Sequence, residues 1–202
     1  MKKSICVLFS FVLLFVMAGC GNIAAEGGQE SISEQETNME QKILVVYFSA
    51  TGTTEVLAEY AAEILDADIY EIVPEVPYTE ADLAYYTNGR ADQEQNDPSA
   101  RPAIAGKVEN MEEYDIIILG FPIWHGQAPR IISTFLESYD FSEKTIIPFC
   151  TSHSSGIGSS ADNLHELCPD SVNWLEGKRF EAGTTKETME DWLKSLFRKY
   201  AT

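Results

Sequence analysis

Residues 43 to 54, ILVVYFSATGTT, join six consecutive apolar residues to a run of hydroxyl side chains interrupted by Ala50 and Gly52. Branched and aromatic residues without alternation suit a strand buried on both faces, as in a parallel sheet. The polar turn that ends the run leads into residues 54 to 65. There Val56, Leu57, Tyr60, Ala61, Ile64 and Leu65 recur at helical spacing, with Glu55, Glu59 and Glu63 on a separate stripe. The order strand, glycine-containing turn, helix has a chemical use. Backbone N–H groups at a helix N-terminus point at a bound anion, the hydroxyls of Ser49, Thr51, Thr53 and Thr54 add donors, and Gly52 permits close approach. The turn holds no Lys or Arg, so an anion there is held by neutral donors and the helix dipole. The plain alternative is a capped turn with Thr54 near the helix start.

Outward from this unit the pattern repeats. Ile69 to Val73 reads as a second strand, and Asp115 to Gly120 and Thr145 to Cys150 as two further buried strands. A helix is expected near residues 129 to 138, another over 157 to 167, and a last one from about 185 to 199 with Met189, Trp192, Leu193, Leu196 and Phe197 on one face. A fifth strand is expected within residues 171 to 180, around Gly177. Alternating strands and helices predict a parallel sheet covered on both faces, with ligands at the carboxyl ends of its strands. Between Pro74 and Val108 lies a Tyr-rich polar excursion, expected to hold one helix and either to reach over a ligand site or to cover the sheet edge.

Two more segments open at the same sheet edge as the first turn. Gly120-Phe121-Pro122-Ile123-Trp124-His125-Gly126 follows the third strand, and its Trp124 offers either a flat apolar face to an aromatic ring or a core residue at a strand end. Thr151-Ser152-His153-Ser154-Ser155-Gly156-Ile157-Gly158 leaves the fourth strand rich in hydroxyl and backbone donors.

SATGTT after a first buried strand resembles the phosphate loop of the flavodoxins, whose usual pattern is Ser/Thr-x-Thr-Gly-x-Thr, and all the patterned positions match. The resemblance spans roughly residues 42 to 200, including PYTEADLAYY and RADQEQ after the second strand. It implies a flavodoxin-like α/β three-layer sandwich, with about five parallel strands in the order 2-1-3-4-5 and helices on both faces. It also implies non-covalent binding of FMN, with Ser49, Ala50, Thr51, Gly52, Thr53 and Thr54 around the phosphate. The loop Pro122, Ile123, Trp124, His125, Gly126 is similar to the one lying against the isoalloxazine in a subfamily, where Gly126 or the His125 carbonyl would accept a hydrogen bond from flavin N5. Thr151, Ser152, His153, Ser155 and Gly156 would border the pyrimidine side, with His153 standing where a small residue is expected. An electron carrier of low potential is the implied function, since nearby acids disfavour added negative charge. One rival is a reductase of a small molecule such as a quinone, with the excursion and His125 shaping its pocket. The other is a flavin-free solute- or partner-binding protein. No Gly-x-Gly-x-x-Gly follows the first strand and no Gly-x-Ser-x-Gly occurs, which argues against a Rossmann nicotinamide site and a serine hydrolase. His125 and His153 lack matched ligand spacing, so no metal is expected.

The formal charge of -18 excludes nucleic acid as an expected partner and favours a redox protein with a basic docking patch. Lys2 and Lys3 precede an uncharged run from Ile5 to Gly19, too short for an ordinary membrane span. Met17-Ala18-Gly19-Cys20 resembles a bacterial lipobox, which implies cleavage after a signal peptide of residues 1 to 19 and diacylglyceryl attachment at Cys20. Residues 20 to 40, with five Glu and no Lys or Arg, read as a flexible acidic tether to a domain of residues 41 to 202. The expected place is outside the cytoplasm, lipid-anchored to the cell membrane. Two lysines are not the twin arginines of a folded-protein export signal, so either FMN is acquired after export or the cofactor assignment is wrong. Cys150 and Cys168 are expected as separate thiols, because a helix between them would put them roughly 15 Å apart.

Overall fold

The structure, a computed structural model, describes residues 41 to 200. The leader, Cys20 and the tether lie outside the described residues.

The opening apolar run forms β1 (Ile43–Tyr47), and the hydroxyl-rich turn leads into α1 (Thr53–Leu65). β2 (Asp68–Glu71) returns parallel to β1 with Val45 beside Ile69. The expected second strand is thereby shortened: Ile72 still donates to Tyr47 O at 2.7 Å, but Val73 and Pro74 leave the sheet as β3. β3 (Val73–Pro74) pairs antiparallel with β4 (Ile104–Ala105) and closes the base of the excursion. Between them stand two short helices rather than one, α2 (Glu80–Leu83) and α3 (Arg90–Asn96). Thr79 explains the extra helix, since its side chain and that of Asp82 form a capping box that stabilises even a single turn.

β5 (Ile116–Pro122) lies on the other side of β1, α4 spans Arg130–Glu137, and β6 (Thr145–Thr151) pairs parallel with β5. The edge carries β7 (Asn173–Trp174) and β8 (Lys178–Phe180), each parallel to β6. The order β2-β1-β5-β6-β7, with β8 also on β6, matches the expected 2-1-3-4-5, its last strand split in two. The split falls opposite Pro148, which has no N–H to offer a neighbour. Gly177 fills the gap there, where a Cβ would stand 2.8 Å from the Pro148 carbonyl oxygen.

Strand residues alternate between two cores. Leu44, Val46 and Phe48 face one with Ile117, Leu119, Ile132 and Phe135; Val45 and Tyr47 face the other with Leu57, Ala61, Met189 and Trp192. The first core is covered by α4 and the excursion, the second by α1 and α5 (Lys186–Tyr200). The α5 face is as read from sequence, with Phe197 only partly buried. On α1 the stripe is rotated. Ala58 and Ala62 are buried, whereas Val56 is left exposed, because a helix lying this close to a sheet takes small residues along its contact line.

The helix expected over residues 157 to 167 is reduced to a 3-10 turn, Asp162–Leu167. Gly158 adopts a left-handed φ of 49° and Ser160 bonds back to the Ile157 carbonyl, so the Ser/Gly run is spent in turns. Cys150 and Cys168 are both free thiols, Cys150 buried in β6.

Candidate functional site

The carboxyl ends of β1, β5 and β6 open into a cleft of about 540 Å³, within the range of small-molecule sites. Each of the three loops singled out from sequence contributes to its wall.

The first loop gives Ser49, Ala50, Thr51, Thr53 and Thr54. Gly52 is not in the wall; it is the hinge. At φ 84° it is the N-cap of α1 and supplies no side-chain cap, so the first-turn N–H groups are left to an outside acceptor. A Cβ at Gly52 would meet nothing closer than 3.7 Å, so glycine is required by backbone conformation rather than by space. Behind the loop, Thr54 and Thr151 share a buried hydroxyl hydrogen bond of 2.8 Å that ties the first loop to the third.

The second loop gives Pro122, Ile123, Trp124 and His125. Ile123 N donates to Thr151 O, and Trp124 and Gln127 exchange backbone hydrogen bonds of 2.9 and 3.0 Å. Between them His125 and Gly126 both have positive φ, 49° and 77°, the signature of a type I′ turn. Gly126 stands at the turn tip and does not line the cleft. Trp124 lines it but is only 8% exposed, with Phe48 and Tyr78 edge-to-face against it at 5.4 and 5.1 Å. Its ring is largely committed to the core. Buried Gln95 holds the loop from behind, donating to the Trp124 and Ala128 carbonyls and accepting from Arg130 N.

The third loop gives Thr151, Ser152 and His153, while Ser155 and Gly156 do not line the cleft. Arg179, on β8, donates to Ser152 Oγ and to the carbonyls of Ser152 and His153. Its remaining nitrogen pairs with Glu181 at 3.0 Å. Fixing those carbonyls on Arg179 sets the orientation of this loop.

Sequence reading missed Leu83, Tyr85, Ala91, Asp92, Glu181 and Ala182 as lining residues. The first four come from the excursion, which does reach over the site. The last two follow the split edge strand, where no periodic signal marked a loop. Among the lining residues there are two carboxylates, Asp92 and Glu181, and no Lys or Arg. Outside the wall, burial and the carboxylates Glu71, Glu55 and Glu59 push the Tyr47 phenol up to about 12, a sign of crowded negative charge near the base of α1.

The family model described as flavodoxin matches residues 42 to 196. A solved structure of a candidate flavoprotein from Bacteroides eggerthii is 44% identical, covering 77% of this chain and 97% of its own, with a TM-score of 0.71. One from Bacteroides uniformis is 45% identical over 76% of this chain and 98% of its own, with a TM-score of 0.72. A flavoprotein from Lactobacillus acidophilus, solved in complex with FMN, is 26% identical over 69% of this chain and 93% of its own, with a TM-score of 0.56. No curated protein matches the chain. On the family match and the cleft at the carboxyl ends of a 2-1-3-4-5 parallel sheet, the chain belongs to the flavodoxin family.

Proposed function

We propose that the cleft binds FMN without a covalent bond and that the protein carries electrons through it. The observation that supports this best is the glycine-hinged, uncapped N-terminus of α1 opening into a cleft of adequate volume beside Ser49, Thr51, Thr53 and Thr54. These residues would hold the phosphate. Pro122, Ile123, Trp124 and His125, with Thr151, Ser152 and His153, would flank the ring system. FMN, when bound, supplies reversible one- and two-electron chemistry. The protein contributes orientation and field. Asp92 and Glu181 in the wall disfavour added negative charge, which supports a low reduction potential. The FMN complex of the Lactobacillus acidophilus relative supports the same cofactor.

The partner is a redox protein with a basic docking patch, drawn by a formal charge of -18. The protein sits on the outer side of the cell membrane, anchored by lipid at Cys20 and held off by the acidic tether; the leader, lipobox and tether sequence support this. A second reading, reduction of a small molecule such as a quinone, is favoured by Tyr85 and His125 lining the same cleft.

Titration of the stripped, purified protein with FMN, riboflavin and FAD, followed by flavin fluorescence, tests the cofactor. FMN is expected to bind with quenched fluorescence and riboflavin at least about a hundredfold more weakly, since charged-group hydrogen bonds are lost with the phosphate. Failure of a folded protein to bind any flavin would leave a solute- or partner-binding lipoprotein as the better account.

A further inference from the structure

Carrying electrons makes no use of a carboxylate and imidazole paired at the mouth of the cleft. Asp92 is 5% exposed, and both of its oxygens are engaged: Oδ2 accepts from Asn88 N at 2.9 Å and Oδ1 faces His125 Nε2 at 2.8 Å. A carboxylate on Nε2 orients the ring and fixes that nitrogen as the one bearing the shared proton. Nδ1 has no protein partner among the described residues. His125 is carried to this place by the type I′ turn, at a φ of 49° that a non-glycine residue seldom adopts. The ring of Tyr85 lies 5.3 Å from it and that of Tyr86 5.9 Å, and these tyrosines are 56% and 90% exposed. The result is an open aromatic corner with a proton-bearing group at its centre, on the wall of the cleft assigned to FMN.

We propose that this corner binds a neutral, planar, carbonyl-bearing acceptor of the quinone class, with His125 Nδ1 as proton donor and Asp92 as positioning residue. The proposal rests on FMN occupying the cleft. Neutrality follows from the walls: no Lys or Arg lines the cleft to pair with an anionic substrate, while the exposed Tyr85 and Tyr86 favour a flat apolar one. Reduction of a quinone to its dihydroxy form takes two electrons and two protons. FMN, when bound and reduced, would supply both electrons and one proton as a hydride equivalent and would itself end oxidised. The second proton passes from His125 Nδ1–H to the substrate oxygen. The neutral imidazole keeps Nε2–H on Asp92, and Nδ1 recovers a proton from solvent. The redox protein proposed above as partner would return two electrons to the cofactor, with the protons drawn from solvent.

The test uses FMN-loaded protein reduced with dithionite under anaerobic conditions and mixed by stopped flow with menadione or with hexaammineruthenium(III). The ruthenium complex takes one electron and no proton. His125→Gln is expected to lower the menadione rate relative to the ruthenium rate by at least about tenfold. Asp92→Asn lowers the same ratio, and adding it to His125→Gln changes the ratio no further. Menadione is also expected to perturb the visible spectrum of the oxidised holoprotein at saturable concentrations. Tyr85→Ala, a change at an exposed side chain that leaves folding intact, weakens that binding about fivefold. With FMN bound normally, equal ratios in wild type and His125→Gln, or no saturable effect of menadione, would overturn the proposal. Failure of the wild-type protein to bind FMN would instead overturn the cofactor assignment, and this proposal with it.

Discussion

Thr54 and Thr151 are 1% and 3% exposed, and each is the partner of the other's hydroxyl. A buried polar pair is worth little net, but removing one member leaves the other desolvated without a partner, at about 1–3 kcal/mol. Thr54→Val is therefore expected to lower the urea-unfolding free energy by about 1–3 kcal/mol, and the double variant with Thr151→Val to regain most of that. Stability and function then separate. Both residues line the cleft and their bond ties the first loop to the third, so FMN affinity is expected to fall in the single and the double variant alike. Gly52 offers the converse experiment, because its neighbourhood is open and only its φ of 84° excludes a side chain. Gly52→Ala is expected to destabilise by about 1–2 kcal/mol and to weaken FMN more than riboflavin, as the strain is relieved by moving the phosphate-facing amides. Equal losses for the two flavins would place the phosphate elsewhere.

At the scale of elements, α3 decides how well the second loop is held. Its buried residues Ala91, Asp92 and Gln95 face the cleft wall, and Gln95 alone meets two carbonyls and one N–H of the loop from Trp124 to Arg130. Gln95→Ala leaves those groups without their partner, and about 2–3 kcal/mol of stability is expected to be lost. Faster hydrogen exchange confined to residues 123 to 130 would show that the loop, rather than the sheet, loosens. The sequence did not announce this helix as a support. Seven residues with one Ala and no large apolar side chain carry no amphipathic stripe, and what orders α3 is a set of polar contacts to a loop some thirty positions away. By contrast β1, β5, β6 and α5 were legible, because continuous apolar runs and a strong helical stripe are local signals of burial. The three loops were legible for a related reason: a turn after a buried strand must stand at the sheet's edge whatever else the chain does. Ser155 and Gly156 do not line the cleft, and nothing local in the sequence shows that Arg179 would anchor Ser152 and His153.

For the molecule as a whole, opposite ends of the pH scale act through different groups. On the acid side the bidentate contact of Arg101 with Glu137, at 2.6 and 2.7 Å, joins the excursion to α4 and holds the Glu137 carboxyl below its usual range. That contribution is present above the ordinary glutamate value and is lost as pH falls through the lowered one. The pair is partly exposed and therefore modest. Acidification also neutralises carboxylates on a chain of charge -18, which relieves repulsion and opposes the loss. The alkaline side has no such compensation. Burial pushes the Cys150 thiol up to about 12 and the Cys168 thiol up to about 11, and burial with neighbouring acids pushes the Tyr47 phenol up to about 12. Between the ordinary values and these, the unfolded chain has released protons that the folded chain still binds, so stability falls as pH rises. Each group withdraws up to about 1.4 kcal/mol per pH unit across its window. The urea midpoint is expected to hold from pH 7 to 8 and to drop steeply between pH 9 and about 11, while added repulsion among newly formed anions deepens the fall. Cys150 should resist alkylation in the folded protein over the same range, because its thiolate forms only after the core opens. A midpoint unchanged up to pH 11, or rapid alkylation of Cys150 at pH 8, would mean that the β6 core admits water and that the thiol is not held neutral by burial.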